Sequence, residues 1–154
     1  MEGTVMIHFT VKNVAETEQL AERLAQLLKP KDVLTLEGDL GAGKTTFTKA
    51  LAKGLGIKRT VSSPTFTIMK QYEGNYPLNH LDVYRLEGSE EDLGWDEIFY
   101  GDAITVVEWA HYIEDVLPEE HLELRIQRES EDVRTIELLP KGRRYENICK
   151  ELQL

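Results

Sequence analysis

Val33-Leu34-Thr35-Leu36-Glu37-Gly38-Asp39-Leu40-Gly41-Ala42-Gly43-Lys44-Thr45-Thr46 is the stretch on which the fold turns. Val33–Leu36 is short, apolar and rich in β-branched residues, the pattern of a buried strand. A glycine-rich turn follows. A helical pattern then runs from about Lys44 to Leu55 and closes at Gly54 and Gly56. Gly38 to Thr45 matches G-x-x-x-x-G-K-[ST] without departure, and it lies between a strand and a helix as that motif requires. Glycines let the backbone approach a ligand closely. Successive N–H groups then form an anion nest at a helix N-terminus, where the helix dipole favours negative charge. In such a loop Lys44 reaches the β- and γ-phosphates of a nucleotide and the Thr45 hydroxyl can ligate Mg²⁺. Thr46 adds a hydroxyl near the α-phosphate. The candidate nucleotide-binding set is therefore Gly38, Asp39, Leu40, Gly41, Ala42, Gly43, Lys44, Thr45 and Thr46. The bland alternative is a helix-opening glycine turn with a surface lysine. The pattern arises by chance about once in 200 chains of this length, before its strand and helix context is counted.

The flanking sequence extends the same architecture. Thr4–Thr10 is β-prone. Asn13 followed by Glu16 resembles a capping box, and Val14, Leu20, Leu24, Leu27 and Leu28 form a helical stripe that ends at Pro30. Thr65–Tyr72 and Tyr76–Val83 read as strands joined across Gly74–Asn75. Ser89–Gly101 is mixed, with short helical turns. Ile104–Glu108 is a second buried-strand pattern. Leu122–Gln127 and Val133–Leu139 read as a hairpin across the polar turn Glu129–Asp132, and the tail from Tyr145 as a short helix. The expected fold is α/β: a P-loop NTPase-like layered sheet, mostly parallel with an antiparallel portion, flanked by helices.

The 154 residues suit a single domain with a sizeable core, and no linker or repeat divides them. Hydrophobic residues at 41% and charged residues at 30% exclude a disordered or fibrous chain. Eighteen Lys+Arg against twenty-eight Asp+Glu give a net charge of −10, which argues against a free-standing nucleic-acid binder or docking on anionic lipid. Charge is also segregated along the chain. Leu40 to Tyr72 has no acid, whereas Glu87 to Glu123 has thirteen acids and no Lys or Arg. These are either two solvated faces, or a positive field around an anion site and an acidic surface for a basic partner. The one cysteine, Cys149, excludes an intramolecular disulfide framework. No apolar run approaches a bilayer span, and Met1 to Phe9 is not a secretory signal, so the expected location is the cytoplasm.

A P-loop site needs a carboxylate that holds Mg²⁺ directly or through water. Ile104-Thr105-Val106-Val107-Glu108 fits best, because the strand delivers Glu108 to its C-terminal end, where such sheets bind ligands. Asp82 is the rival. It could instead orient the attacking water, or serve as a structural acceptor. Thr65, in Ser62-Ser63-Pro64-Thr65-Phe66, lies where a switch loop would contact the γ-phosphate, though a plain proline turn has the same appearance. Trp109 follows Glu108 and either caps the site, marks a partner surface or packs in the core. His80 shares a face with Asp82 and reads as a packed core histidine rather than a ligand. Arg85 could pair with Asp82 or with phosphate.

The P-loop class is narrowed by absences. There is no Asn-Lys-x-Asp guanine motif, and Asp82 is not followed by the Asp-x-x-Gly pattern of a GTPase switch. A kinase lid would normally carry arginine, which 87–123 lacks; Arg125, Arg128 and Arg134 belong to the later hairpin.

Taken together, Gly38–Thr46, Ser63-Pro64-Thr65-Phe66-Thr67, His80-Leu81-Asp82-Val83-Tyr84-Arg85-Leu86 and Glu108-Trp109 resemble the TsaE (YjeE/YdiB) family of small bacterial P-loop ATPases. The resemblance covers Val33 to Ala110. Phe66 stands where the family often has Tyr. The resemblance implies a Mg²⁺-dependent ATPase, slow on its own, required for threonylcarbamoyladenosine (t6A) modification of tRNA adenosine 37. It implies ATP and Mg²⁺ as cofactors and the TsaB and TsaD proteins as partners, with tRNA reached only through that complex. Carried over by motif, Lys44 binds phosphate and Thr45 and Glu108 hold the metal. Asp82 acts near the γ-phosphate, Thr65 lies in the switch-like loop and Trp109 lines the same region. A small-molecule kinase and a nucleotide-sensing module without turnover are the competing readings of the same loop.

Overall fold

The computed structural model describes residues 6–39, 42–61, 68–88 and 92–153. Among the described residues seven strands, β1 (Ile7–Val11), β2 (Val33–Glu37), β3 (Met69–Tyr72), β4 (Leu78–Asp82), β5 (Ile104–Glu108), β6 (His121–Arg128) and β7 (Arg134–Lys141), form one sheet in the order β1-β7-β6-β2-β5-β4-β3. The four central strands, β6, β2, β5 and β4, run parallel. Antiparallel pairings complete both edges: β3 on β4, and β7 with β1 beyond β6. Helices α1 (Val14–Ala25), α2 (Lys44–Gly54), α3 (Trp95–Tyr100) and α4 (Arg143–Leu152) cover the sheet, with 3₁₀ segments at Tyr84–Leu86 and Ala110–Val116.

Side-chain alternation along the central strands builds two cores. One face of the sheet, with Leu34, Leu36, Ile104, Val106 and Leu124, packs under α1, α2 and α4, where Leu24, Phe47 and Ile148 are buried. The other face, with Val33, Leu81 and Val107, packs under α3 and the second 3₁₀ segment through Trp95, Phe99 and Ile113. Helix α1 starts as its sequence predicts: the Asn13 side chain accepts the Glu16 N–H at 2.9 Å, and Glu16 reaches back to accept the Lys12 N–H at 2.8 Å. Cys149 lies in the first core, where burial pushes its thiol up to about 11.

Predicted and observed elements coincide closely for β2, α2 and β5. The first strand runs to Val11, and the last helix starts at Arg143 rather than Tyr145, immediately after the positive-φ Gly142. The predicted strand Thr65–Tyr72 is observed as Met69–Tyr72; its first residues, with Thr65, lie outside the described residues.

Helix α4 is locked to the base of β2. The Val33 N–H donates to the Tyr145 hydroxyl at 3.0 Å, and Arg144 donates to both Asp32 oxygens, at 3.2 and 2.7 Å. Asp32 is buried and also accepts the Lys29 N–H at 2.7 Å. Removing Arg144 leaves that carboxylate without its cation. Breaking a buried pair is costly, but Arg144 is partly exposed, so Arg144→Ala is expected to lose about 2 kcal/mol. Urea denaturation checks this through the midpoint; an unchanged midpoint would show that the lock carries no stability.

Candidate functional site

Parallel register brings three strand ends together. Leu36 of β2 pairs with Glu108 of β5, and Glu108 pairs with Asp82 of β4. The glycine loop therefore leaves β2 beside the strand that presents Glu108, at the C-terminal edge where open parallel sheets bind ligands. The sequence-predicted residues Lys44, Asp82, Glu108 and Trp109 converge there. Leu40, Gly41 and Thr65 lie outside the described residues.

Glycine is required at two positions of the loop for different reasons. A Cβ on Gly38 would stand 2.6 Å from the Ile126 carbonyl oxygen, so only glycine lets the loop pass that close to β6. Gly43 has φ +111°, a left-handed conformation that side chains resist, and a Cβ there would meet nothing nearer than 4.0 Å. Conformation, not space, selects glycine at the head of α2. Among the described residues no side chain caps α2, and its first turn has no acid, so its N-terminal N–H groups and positive dipole end suit an anion.

Lys44 is buried, and its Nζ sits 4.1 Å from the centroid of the Trp109 ring. This is a cation–π contact. Trp109 adopts φ 63°, ψ 34°, a left-handed conformation that turns the chain sharply after Glu108. Tyr84 meets its ring edge-on at 4.9 Å and Tyr112 stacks on it at 6.0 Å. Trp109 thus both packs against neighbours and covers the lysine.

The two carboxylates differ in surroundings. Glu108 is buried, and its Oε2 lies 2.7 Å from Nε2 of the equally buried His80. Asp82 is half-buried, with Oδ1 accepting the Tyr84 N–H at 3.1 Å. Burial pushes the Asp82 carboxyl above its usual range; the Tyr84 hydrogen bond opposes this, the nearby Glu108 charge reinforces it, and the Lys44 charge pulls it back. Its ionisation therefore costs the folded state free energy. The penalty is absent below the ordinary value of 3.8, where Asp82 is protonated in both states, and is complete above the raised folded value. Asp82→Asn, which keeps the acceptor for Tyr84, is expected to raise the melting temperature at neutral pH. The gain should vanish as pH falls below about 4. A melting temperature unchanged or lowered at neutral pH would refute the strain assigned to Asp82.

Two contacts were not visible in the sequence. Arg134 of β7 donates through Nε to the Ala42 carbonyl at 2.9 Å, and through a second nitrogen to the carbonyls of Ser130 and Glu131 at 2.9 and 3.1 Å. It ties the β6–β7 turn to the loop before α2. Beside this tie is a pocket of about 70 Å³ lined by Asn13, Thr17, Gly43, Thr46 and Arg134. On the other side, His111 Nδ1 lies 2.9 Å from Oε1 of Glu37, the last residue of β2. Alternation with Asp82 was the only signal for His80, and no local pattern pointed to Arg134.

Among the described residues, no three of His, Cys, Asp and Glu converge as metal ligands. A hydroxyl at Thr45 and one strand-end carboxylate make a sparse, all-oxygen donor set. That set fits Mg²⁺, which keeps several waters and takes further ligands from a phosphate. A cleft of about 810 Å³ contains no residue of the glycine loop; Trp95, Tyr100, Tyr112, Asp92, Asp96 and Asp115 line it on the acidic side of the molecule. Its size does not make it the chemical site, because the anion-binding loop and convergent carboxylates lie elsewhere. No helix among the described residues is long and apolar enough to cross a membrane.

Comparison with known proteins bears on this arrangement. The family model for "Threonylcarbamoyl adenosine biosynthesis protein TsaE" matches residues 11–136. A tRNA threonylcarbamoyladenosine biosynthesis protein TsaE from Bacillus subtilis (strain 168) is 57% identical over 141 residues, covering 91% of this chain and 89% of the relative. The Treponema pallidum (strain Nichols) protein of the same name is 41% identical over 110 residues, covering 70% and 82%. The crystal structure of B. subtilis YdiB superposes with a TM-score of 0.86 at 47% identity, covering 99% of this chain and 97% of that one. With the family model spanning the P-loop, both carboxylates and most of the sheet, the chain belongs to the TsaE family.

Proposed function

We propose that this protein is a Mg²⁺-dependent ATPase of the cytoplasm that supports t6A modification of tRNA, acting with TsaB and TsaD. The observation that carries the reading is the convergence of Lys44, the uncapped start of α2, Asp82 and Glu108 at one edge of the parallel sheet. The t6A assignment rests on the names of its relatives.

In this reading the N–H groups after Gly43 hold the phosphates, and Lys44 leaves the Trp109 ring to neutralise them. Thr45 and Glu108 hold the metal, which when bound stabilises charge on the phosphoryl oxygens. Asp82 orients the attacking water, a role for which its raised affinity for a proton suits it. Trp109, boxed by Tyr84 and Tyr112, closes the γ-phosphate side against solvent. Slow turnover alone follows if the water is fully positioned only when partners dock. The thirteen acids between Glu87 and Glu123 suit a basic protein surface and disfavour direct tRNA contact.

The test is phosphate release from ATP by the purified protein, with and without TsaB–TsaD, scoring t6A on tRNA in the same tubes. Partner-stimulated release with repeated t6A cycles is expected. Release that ignores the partners would leave the nucleotide site standing and sink the t6A role. Release that requires an added metabolite, with a phosphorylated product, would make the protein a kinase.

A further inference from the structure

His80 is 1% exposed, deep in β4, and shares its face with Leu78 and Asp82. Its register partner on β5 is Val106, yet its ring reaches two residues further along that strand to Glu108. The Nε2–Oε2 separation is 2.7 Å. A carboxylate that ligates a metal only accepts hydrogen bonds, so with Glu108 in its proposed role Nε2 is the donor. Nδ1 is then left without a partner among the described residues.

That arrangement is expensive if packing were the purpose. A buried polar atom without a hydrogen bond costs about 1–3 kcal/mol. An aliphatic side chain would avoid the cost among apolar neighbours such as Leu78 and Val106. The contact that only histidine makes here is the one to Glu108. Glu108 in turn is a buried carboxylate beside a second carboxylate, Asp82, and needs a donor to hold it in one orientation. Lys44, the nearby cation, is instead drawn over Trp109.

We infer that His80 is a positioning residue, whose Nε2–H fixes the Glu108 carboxylate in the orientation that receives the metal–nucleotide complex. The inference rests on the proposed metal role of Glu108. Partners that orient ligating groups typically change metal affinity 10- to 100-fold when removed.

The experiment separates the two ideas. Binding of Mn²⁺ to the ATP-loaded full chain is followed by electron paramagnetic resonance, and binding of ATP in EDTA by calorimetry. His80→Leu is expected to weaken Mn²⁺ binding about 10-fold or more while leaving metal-free ATP affinity within about twofold. His80→Gln, which keeps an N–H donor at the same reach, should restore most of it. In a Glu108→Gln background, His80→Leu should add nothing. Unchanged Mn²⁺ affinity in His80→Leu overturns the positioning role alone, as does equal loss in the Leu and Gln variants. A Glu108→Gln variant that binds Mn²⁺–ATP like the wild type overturns the metal role of Glu108 itself. If His80→Leu fails to fold, nitrogen NMR of the wild-type imidazole decides instead: a proton on Nε2 and none on Nδ1 supports the inference, and the opposite tautomer overturns it.

Discussion

Lys44→Ala is expected to weaken ATP binding by about 10- to 100-fold and to reduce hydrolysis by a further factor of about 100. The first figure is the loss of one charge-assisted contact, about 1.5–3 kcal/mol. The second reflects charge that develops on the transferred phosphoryl group and is met by a preorganised cation. The fold should survive. Alanine is the better helix former, and the ammonium gains nothing from burial beyond the Trp109 ring 4.1 Å away. The substitution also uncovers that ring, so unliganded Lys44→Ala should differ from the wild type in tryptophan emission, and ATP should no longer shift it. Calorimetry checks affinity, phosphate release checks turnover and circular dichroism checks the helix content. Normal ATP affinity in a folded Lys44→Ala protein would refute the nucleotide site.

Glu108→Ala is the second large effect. Loss of the strand-end carboxylate is expected to lower Mg²⁺-dependent hydrolysis about 100- to 1,000-fold. Metal-free ATP binding should hold or improve, because a negative charge is removed from beside the phosphates. Truncation also strands the buried Nε2 of His80, 2.7 Å from the missing oxygen, so stability will fall. Glu108→Gln retains an acceptor for that N–H and separates the catalytic loss from the structural one. Full hydrolysis in both variants would transfer the metal role to Asp82, its cross-strand partner.

Much of this architecture was legible from local pattern. Val33–Glu37 and Ile104–Glu108 announce themselves because strands buried on both faces are continuously apolar. The loop after β2 and the start of α2 are written in glycine and lysine spacing. What periodicity does not encode is which strands become neighbours. That β6 lies beside β2, and β1 beside β7, depends on contacts between distant segments. The same limit hid the site's finer structure. His80 and Glu108 were both visible, but their contact exists only because β4 and β5 pair in parallel. Arg134 was assigned to a hairpin, correctly, yet its bond to Ala42 follows from where that hairpin crosses the loop.

The edge pairing of β1 carries a consequence for how the molecule is made. Ile7 pairs with Leu138 and Val11 with Arg134, so β1 leaves the ribosome more than a hundred residues before the strand it pairs with. The central strands and their helices can assemble during that interval, while β1 remains an unpaired apolar segment. Closing so long a chain loop before any contact rewards it makes the final step slow. Loss of β7 late in synthesis would leave β1 unpaired and an open sheet edge at β6, and such edges recruit other chains. Truncations just short of residue 134 should therefore aggregate rather than yield a smaller folded protein.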